Sequence, residues 1–562
     1  MASTPTFVLF PLLLVLPFLA SLGLVGADTA STETMCMSTP YPSVCRSNLP
    51  SNETGDIYHY GRFFMSKSFS RARLFLALVD KYLARQDSLA ISVVRALEDC
   101  RFLASLNLDF LLSSFQPINA TSSILSILKA EDVQTLLSAI LTNQMTCLDG
   151  LQSTASAWSG KNDLSVPLAN DTKLNSVSLA LVVRGWVPQN KKGNGGAGAG
   201  QPKSRQLPFQ NGRMSFTMSS RTRGIYESVT RRTLLQLSND NSVLVSDIVV
   251  VSQDGTGNFT TINAAVASAP NNTNGTDGYF LIYVTAGIYE EYVSIAKNKV
   301  YLMMIGDGIN QTVITGNRSV ADGWTTFNSA TFAVVAPNFV AVNITFQNTA
   351  GPAKSQAVAV RSGADLSVFY SCSFEAYQDT LYTHSMRQFY RECDVYGTVD
   401  FIFGNAAVVF QNCNLYPRLP LSGQSNMITA QGRTDVNQNT GTSIHNCTLR
   451  AADDLASSNT SVQTYLGRPW KQYSRTVYMQ SFMDSLINPA GWQIWSGDFA
   501  LSTLYYAEYN NTGPGSNTTN RVTWPGYHVI NATDAANFTV SSFLLGDAWL
   551  PQTGVPYTGG LI

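Results

Sequence analysis

Hydrophobic residues recur at helical spacing in the first third of the chain. The stretches 70–86, 89–115, 131–152 and 172–186 each place apolar side chains three or four positions apart, which is the pattern of amphipathic helices. Short polar segments join these stretches, as in bundles whose neighbouring helices run antiparallel. The pattern therefore predicts an all-α four-helix bundle over residues 28–187.

From residue 237 onward, short β-rich stretches alternate with Gly, Asn and Asp. A four-residue pattern of polar, small apolar, polar and large apolar residues recurs at 343–346, 371–374, 392–395, 412–415 and 446–449, at intervals of 28, 21, 20 and 34 residues. A fixed pattern at variable intervals is typical of a parallel β-solenoid, in which loops of different length leave one continuous wall. A β-sandwich is the alternative, but it gives less reason for a cysteine to recur at one register.

Two aspartates in apolar surroundings share the 21-residue interval of two cysteines. Asp379 and Asp400 each lie seven residues after Cys372 or Cys393. Successive coils of a solenoid stack about 4.8 Å apart, so residues one coil apart point the same way. The interval therefore predicts two carboxylates side by side on one sheet face. Because both cannot ionise cheaply, their pKa values should diverge, which suits one to act as an acid and the other as a nucleophile or base.

Other stretches supply groups that complement a pair of carboxylates. Gln378 precedes the first aspartate and Gln356 opens the stretch QAVAV, so their amides could stabilise a developing oxyanion. In LGRPW, Arg468 could keep a carboxylate ionised and Trp470 could stack on a sugar. Two turn aspartates that cap backbone amides are the alternative. A Ser-His-Asp triad is disfavoured, because the sequence contains no G-x-S-x-G and only His384 lies near the acids.

The N-terminus and the composition indicate a secreted protein. Residues 7–25 are apolar and precede small residues at 25–27, which predicts a signal peptide over residues 1–27; a membrane anchor is the alternative. More than a dozen N-x-S/T sites agree with secretion. The eight cysteines fall into two groups of four, as in two domains that form their own disulfides. With no C-x-x-C and four histidines, a metal site is not expected.

The segment after the predicted bundle differs in composition from both of its neighbours. Residues 187–206 are rich in glycine and basic residues and cannot bury apolar surface. We predict a linker over residues 188–236. It contains the adjacent pair Arg231 and Arg232, which favours a processing site between a pro-region and a mature domain; a solvated pair of charges is the alternative.

Five short motifs together resemble the plant pectin methylesterases. They are GIYEE (287–291), QAVAV (356–360), YQDTL (377–381), DFIFG (400–404) and LGRPW (466–470), and the resemblance extends from about Ile248 to near the C-terminus. Residues 28–187, with CMSTPYPSVC, ALEDC and LTNQMTCLDG, are similar to the pectin methylesterase inhibitor domain. The resemblance implies an all-β right-handed parallel β-helix over residues 237–562. It also implies hydrolysis of the C6 methyl esters of homogalacturonan in the cell wall, without metal or organic cofactor.

The resemblance assigns a role to each residue of the acid and amide cluster. Asp400 is expected to be the nucleophile, and Asp379 to protonate departing methanol and then activate water. Gln378 is expected to stabilise the oxyanion with help from Gln356, and Arg468 to orient and ionise Asp400. The expected substrate contacts are Thr326, Gln356, Arg468 and Trp470.

The cysteine pairing and the processing site are less fully fixed by the resemblance. In the bundle, Cys36 with Cys45 would close a small loop, and Cys100 with Cys147 would join two helices. In the β-helix, Cys393 with Cys413 is the preferred disulfide; Cys413 with Cys447 and packed free thiols are the alternatives. Thr233 separates the paired arginines from Leu234, so the basic pair departs from the usual family arrangement.

Charge suggests how the two regions interact. Residues 237–562 hold 14 Lys and Arg against 22 Asp and Glu, which leaves the preceding part of the chain basic. We hypothesise that a basic bundle docks on an acidic catalytic region and covers its cleft. The expected partners are pectin, the chain's own inhibitor-like region and a processing protease, with no nucleic acid and a monomeric state.

Two other functions remain as alternatives. A polygalacturonase or lyase acting on the same polymer could also use paired acids, but an inverting glycosidase separates its carboxyl groups by about 6.5–9.5 Å, more than the one-coil spacing. A non-enzymatic inhibitor or wall-binding protein acting through residues 28–187 is the second alternative.

Overall fold

The computed structural model describes residues 31–50, 54–154, 158, 160–188, 215–230 and 242–562. The predicted signal peptide and the pair Arg231 and Arg232 lie outside these residues. Among the described residues, none of the helices combines the length and the hydrophobicity that a membrane span requires.

The N-terminal region is a helical bundle, as predicted. A short hairpin of helices α1 (Thr32–Met37) and α2 (Pro42–Asn48) precedes four long helices: α3 (Ile57–Leu83), α4 (Ile91–Ala120), α5 (Ile127–Ser153) and α6 (Lys161–Trp186). Helix α3 begins well before the predicted stretch 70–86, because the side chain of Asp56 accepts a hydrogen bond from the amide of His59 and caps the helix there. A Cβ atom at Gly61 would lie 2.5 Å from the ring of Trp186, so this glycine allows α3 and α6 to pack closely.

Two disulfides connect elements of the bundle, at the predicted positions. Cys36 pairs with Cys45 and joins α1 to α2, and Cys100 pairs with Cys147 and joins α4 to α5. The second disulfide fixes the two helices that, as described below, face the β-helix. Constraint of this kind stabilises a fold mainly by restricting the unfolded chain.

The remaining described residues form a right-handed parallel β-helix of three sheets. Its strands are β1 (Phe216–Thr217), β2 (Val243–Val251), β3 (Tyr279–Val284), β4 (Gly287–Glu290), β5 (Val293–Ile295), β6 (Leu302–Gly306), β7 (Thr312–Gly316), β8 (Phe332–Val334), β9 (Val340–Val342), β10 (Thr345–Asn348), β11 (Val360–Ser362), β12 (Ser367–Tyr370), β13 (Ser373–Glu375), β14 (Leu381–Thr383), β15 (Arg387–Arg391), β16 (Asp394–Gly397), β17 (Ile402–Gly404), β18 (Ala407–Gln411), β19 (Asn414–Pro417), β20 (Asn426–Gln431), β21 (Gly441–His445), β22 (Thr448–Leu449), β23 (Thr464–Gly467), β24 (Arg475–Met479), β25 (Phe482–Met483), β26 (Tyr505–Tyr509) and β27 (Tyr527–Val529). The shorter helices are α7 (Ser220–Thr230), α8 (Ile262–Ser268), α9 (Asp453–Ala456), α10 (Ala532–Ala536) and α11 (Val540–Phe543).

Each central coil contributes one strand to each sheet. Among the described residues, the sheets contain twelve strands (β1-β2-β3-β6-β9-β12-β15-β18-β21-β24-β26-β27), eight strands (β25-β22-β19-β16-β13-β10-β7-β4) and seven strands (β23-β20-β17-β14-β11-β8-β5). We call them the twelve-stranded, eight-stranded and seven-stranded sheets. The register Ser373↔Asp394↔Asn414↔Thr448 aligns the repeated four-residue pattern across coils, as the sequence predicts.

The repeated pattern reflects a turn followed by an inward-facing residue. Its first, polar residue has a left-handed backbone at every repeat, with φ between 51° and 57° at Asn343, Ser371, Glu392, Asn412 and Asn446. Asparagine tolerates this conformation better than most residues. The last residue of the pattern points into the interior, where Phe346 and Phe374 stack with ring centroids 5.7 Å apart. Local turn chemistry and core packing therefore fix the same register.

The predicted disulfide between Cys393 and Cys413 is wrong. Cys372, Cys393, Cys413 and Cys447 are all buried free thiols, stacked in register on successive coils. Parallel side chains stacked in this way keep the coil spacing of about 4.8 Å between their Cβ atoms, whereas a disulfide needs about 3.5–4.5 Å. The four cysteines therefore pack as small hydrophobic residues.

This arrangement predicts the outcome of thiol labelling. Alkylation of the unfolded, non-reduced protein should modify Cys372, Cys393, Cys413 and Cys447, because their thiols are free. The native protein should resist the same reagent, because these side chains are buried. Peptide mass spectrometry reads each site, and the disulfide-bonded Cys36 and Cys100 are internal controls that should stay unmodified. A Cys393–Cys413 peptide linked by a disulfide would contradict the expectation.

Candidate active site

The two predicted acids lie next to each other on the seven-stranded sheet. Strands β14 and β17 pair with Leu381 opposite Ile402, and each aspartate lies two residues before its strand, so Asp379 and Asp400 are in register one coil apart. Both have left-handed backbones, with φ of 63° and 53°. Aspartate tolerates this conformation, which is uncommon for residues other than glycine. The corner before each strand therefore presents both carboxyl groups to one surface.

Burial and one cation make the two carboxyl groups unequal. Asp379 is 7% exposed and Asp400 is 5% exposed. Burial raises the pKa of Asp379 well above its ordinary value, and the adjacent Asp400 raises it further. Burial also raises the pKa of Asp400, but the hydrogen bonds from Arg468 oppose that rise. A neutral Asp379 beside an ionised Asp400 is the state that this arrangement favours.

Arg468 holds Asp400 through both carboxylate oxygens. Its Nε donates to Oδ1 at 2.8 Å and its Nη2 donates to Oδ2 at 2.7 Å. The ring of Trp495 covers the guanidinium, with 4.5 Å from Cζ to the ring centroid. A bidentate pair fixes the orientation of a carboxylate as well as its charge. The contact that the predicted role of Arg468 requires is therefore present, while the role itself stays a prediction. Trp495 is a contact that the sequence motifs did not indicate.

The remaining predicted site residues line the same cavity, which has a volume of about 340 Å³. Gln356, Gln378, Thr326 and Trp470 all border it together with the two aspartates and Arg468. Gln378 lies immediately before Asp379, and its carbonyl accepts a hydrogen bond from the amide of Ala357 on the neighbouring coil. The cavity thus brings together every residue predicted from the catalytic and substrate motifs.

Two aromatic wall residues were missed by the motif analysis. Tyr382 and Phe403 stack with ring centroids 4.1 Å apart and both line the cavity. They lie three residues after Asp379 and Asp400, so the 21-residue interval that identified the acids also identifies this pair. Thr325, Phe327, Ala430 and Trp495 complete the lining from the β-helix, and no repeat in the sequence marks them.

His384 is buried and contacts the bundle. Its Nε2 lies 2.9 Å from Oγ1 of Thr146, which belongs to the bundle. Burial lowers the pKa of His384 to about 3, so its imidazole is neutral near pH 7. Among the residues that the structure describes, no group of three or more His, Cys, Asp or Glu side chains could hold a metal ion.

The bundle forms one wall of the cavity. Asp99, Thr146, Asp149, Gly150 and Ser153 border the same space as the two acids. Helices α4 and α5 also share a continuous apolar cluster with the seven-stranded sheet, in which buried Leu103, Leu148 and Leu151 lie with buried Phe327, Tyr382 and Phe403. The aromatic wall of the cleft therefore packs against the bundle.

Polar contacts surround this apolar contact. Asp99 is buried and accepts hydrogen bonds from the side chains of Thr325, at 2.5 Å, and Asn328. Asn405 donates to Oγ1 of Thr142 at 2.9 Å, and Gln438 donates to the carbonyl of Ser138 at 2.9 Å. These bonds fix the position of α4 and α5 over the cleft.

Ion pairs cross the contact in the direction opposite to our hypothesis. Lys297 pairs with Asp109, Arg387 with Asp132 at 2.8 Å, and Lys471 with Asp149 at 2.9 Å. In each of these pairs among the described residues, the bundle supplies the carboxylate. Residues 28–187 hold 13 Lys and Arg against 14 Asp and Glu, so the positive excess lies in residues 188–236. The prediction of a basic bundle on an acidic partner is wrong, because it treated the two segments as one.

Comparison with known proteins gives the family. Residues 248–547 match the family described as Pectinesterase, and residues 30–181 match the one described as Plant invertase/pectin methylesterase inhibitor. An Arabidopsis thaliana protein named "Probable pectinesterase/pectinesterase inhibitor 20" is 65% identical over 550 residues, which cover 97% of this chain and 96% of that protein. Another, "Probable pectinesterase/pectinesterase inhibitor 7", is 63% identical over 574 residues and covers 98% and 99%.

A solved structure agrees with the sequence matches. "Pectin methylesterase from Carrot" superposes with a TM-score of 0.55 and 53% identity, and the match covers 58% of this chain and 100% of the carrot chain. The chain therefore belongs to the pectinesterase family, and it joins a pectinesterase region to a pectin methylesterase inhibitor region in one polypeptide.

Proposed function

We propose that this esterase hydrolyses the C6 methyl esters of homogalacturonan, with Asp400 as the nucleophile and Asp379 as the general acid and base. The observation that carries the proposal is the in-register pair of buried aspartates, of which only Asp400 has a bidentate arginine partner. The pair has one member suited to attack a carbonyl carbon and one suited to donate a proton.

In the first half of the reaction, an oxygen of ionised Asp400 attacks the ester carbonyl. The carbonyl oxygen becomes negative, and the side-chain amides of Gln378 and Gln356 stabilise it as hydrogen-bond donors. Collapse of this intermediate breaks the bond to the methoxy group. Protonated Asp379 gives its proton to that group, so methanol leaves and an anhydride links the substrate to Asp400.

In the second half, Asp379 acts as a base. Now ionised, it removes a proton from a water molecule, and the resulting hydroxide attacks the substrate carbonyl of the anhydride. Asp400 leaves as a carboxylate, which its bidentate contact with Arg468 favours. The products are a free uronate carboxyl group and an enzyme with both acids in their starting states.

The cavity walls suit a sugar chain. Trp470, Tyr382 and Phe403 present aromatic surface beside the acids, and Thr326 and Gln356 add polar groups. Aromatic rings bury the apolar faces of sugars while polar groups fix their orientation. Cleavage of the glycosidic bond by inversion is disfavoured, because that mechanism separates its carboxyl groups by about 6.5–9.5 Å and the coil spacing is about 4.8 Å.

We also propose that the bundle inhibits the esterase in the intact chain. The support is that α4 and α5 border the cavity and pack against Tyr382 and Phe403, the surface that a polymer would need. We further infer that the protein is secreted to the cell wall, on the basis of the N-terminal apolar stretch. The glycine-rich, basic composition around residues 187–206 and the pair Arg231 and Arg232 support processing by a protease at that pair, and we expect a monomer.

Replacing either acid should slow methanol release, but each replacement affects a different step. In residues 215–562, Asp400→Asn should lower kcat by about 10⁴-fold or more, because an amide is not a nucleophile here. Asp379→Asn should lower kcat by about 10²–10⁴-fold, because general acid–base help is lost. Asp277→Asn, at an exposed loop residue, is the control and should retain activity. An Asp400→Asn variant with full methanol release would exclude the mechanism.

Removing the arginine should move the pH profile in a defined direction. Arg468 opposes the burial that raises the pKa of Asp400, so Arg468→Ala should raise that pKa further. Since Asp400 must be ionised to attack, the acidic limb of kcat/KM against pH should shift to higher pH. Arg450→Ala, at a surface arginine outside the cavity, should leave the limb in place. An unchanged acidic limb in Arg468→Ala would show that this limb does not report the ionisation of Asp400.

Reversing charges at the contact should activate the intact chain. Asp109→Lys with Asp132→Lys replaces two ion pairs by repulsion with Lys297 and Arg387. Exposed ion pairs are worth about 0.2–1 kcal/mol each, and Arg387 is buried but keeps its second partner Asp365. Loss of the two pairs should therefore weaken docking by about 0.4–2 kcal/mol and raise methanol release from the uncleaved protein by about 2- to 30-fold. Glu33→Lys, which breaks an exposed ion pair within the bundle, is the control. Equal basal activity in all three proteins would count against docking as the cause of inhibition.

A further inference from the structure

A short segment before the arginine pair is folded on the β-helix, away from the cleft. Strand β1 pairs in parallel with β2, with Phe216 opposite Val243 and Thr217 opposite Leu244. The amide of Val243 donates to the carbonyl of Ser215 at 2.8 Å. The segment lies in the range predicted to be a linker, and the structure differs there because residues 216–229 carry the apolar side chains that residues 187–206 lack.

Helix α7 packs its apolar side on the outer face of the twelve-stranded sheet. Phe216 is 5% exposed, and its ring lies 5.4 Å from that of Tyr226. Tyr226 in turn makes an edge contact with Tyr283 on β3, with centroids 6.1 Å apart. Ile225 and Val229 pack against the same cluster, which includes buried Val243, Ile248, Val250 and Tyr279. We call residues 215–230 the strap.

The strap covers the sheet in the same way as the C-terminal region does. Val540, Leu544, Trp549 and Leu550 belong to the same outer apolar cluster, and the segment Leu550–Thr553 also contacts β2. At the N-terminal end of this sheet, the strap supplies the edge strand β1, which pairs with β2, and part of the apolar cover. Without it, β2 would present an unpaired edge and an apolar face, which favour association with another strand.

The strap is covalently joined to the pro-region but packs against the β-helix. It lies before Arg231 and Arg232, so a cut after that pair leaves it joined to the bundle. Its described contacts above are all with the β-helix. We propose that the strap is a second anchor of the pro-region, and that cutting the chain between residues 230 and 242 leaves the bundle bound to the esterase. The bundle is then held at two separate surfaces, the cleft and the edge of β2.

Two attachments joined by one chain reinforce each other. When the strap is seated, the bundle is confined near the cleft at an effective concentration set by the intervening residues, so loss of one contact alone does not release it. The first cut alone would therefore not end this tether. A second cut between the bundle and the strap, or displacement of the strap, would end it and leave the bundle held by the cleft contact alone. The consequence for activity rests on the proposed inhibition; the binding itself does not.

The test uses the full chain with a recognition sequence for a specific protease inserted after Arg232. After cutting, the two fragments should co-elute on gel filtration, and the dissociation constant is measured by dilution. Phe216→Asp with Tyr226→Asp should raise that constant at least tenfold, because both rings lie on the apolar contact. Ser228→Asp adds a charge to the exposed side of the same helix and should leave the constant unchanged. Equal constants in all three cut proteins would overturn the proposal.

A second measurement needs no variant. Hydrogen–deuterium exchange of the cut wild-type protein should show residues 215–230 protected to the same degree as in the uncut protein. Exchange at the rate of a free peptide after cutting would overturn the proposal even if the double variant failed to fold. Methanol release separates the two ideas: fragments that co-elute and are fully active would support the anchor and refute the proposed inhibition.

Discussion

In-register hydrogen bonding between parallel strands of successive coils determines where each functional side chain of the β-helix lies. Leu381 pairs with Ile402, and this places Asp379 beside Asp400 and Tyr382 beside Phe403. A slip of one residue would turn one member of each pair to the opposite face of the sheet. The left-handed turns and the inward-facing aromatic residues hold the register, so the active site depends on packing that is distant from any substrate.

A single cation, Arg468, makes the two otherwise similar aspartates different from each other. The coil geometry gives the two acids nearly equal burial and nearly equal backbone conformation. Arg468 then contacts Asp400 alone through a bidentate pair, while Trp495 covers its other surface. In the proposed mechanism, the difference between nucleophile and acid therefore comes from Arg468, which directly follows β23, and not from the repeat itself.

The sequence predicted the features that repeat and missed those that depend on one tertiary contact. The interval that marks Cys372 and Cys393 predicted the stacked acids, but cysteine spacing alone could not distinguish free thiols from a disulfide, because both need adjacent coils. Net charge predicted the wrong polarity for the contact between the two regions. In the three ion pairs across it the bundle supplies the carboxylate, and the positive excess lies in residues 188–236.

The strap was not predicted, because the average composition of the surrounding segment indicates a linker. A glycine-rich, basic average describes residues 187–206, but it does not describe the few aromatic and aliphatic residues around Phe216 and Tyr226 that find a partner on β2 and β3. The position of α4 and α5 over the cleft also follows from packing between the two regions, although their approximate extents were predicted from helical periodicity. No periodicity within either region contains that information.

Tyr382 and Phe403 contact the bundle on the same surface that faces the acids. Under the proposed function, these two rings therefore serve two purposes, because they contact the polymer in the open cleft and the chain's own helices in the covered one. A change that improves one fit alters the other, so substitutions there should be accepted only together with matching changes around Leu148 and Leu151. Inhibition by the bundle and activity on substrate would then change together, because both depend on the same wall of the cleft.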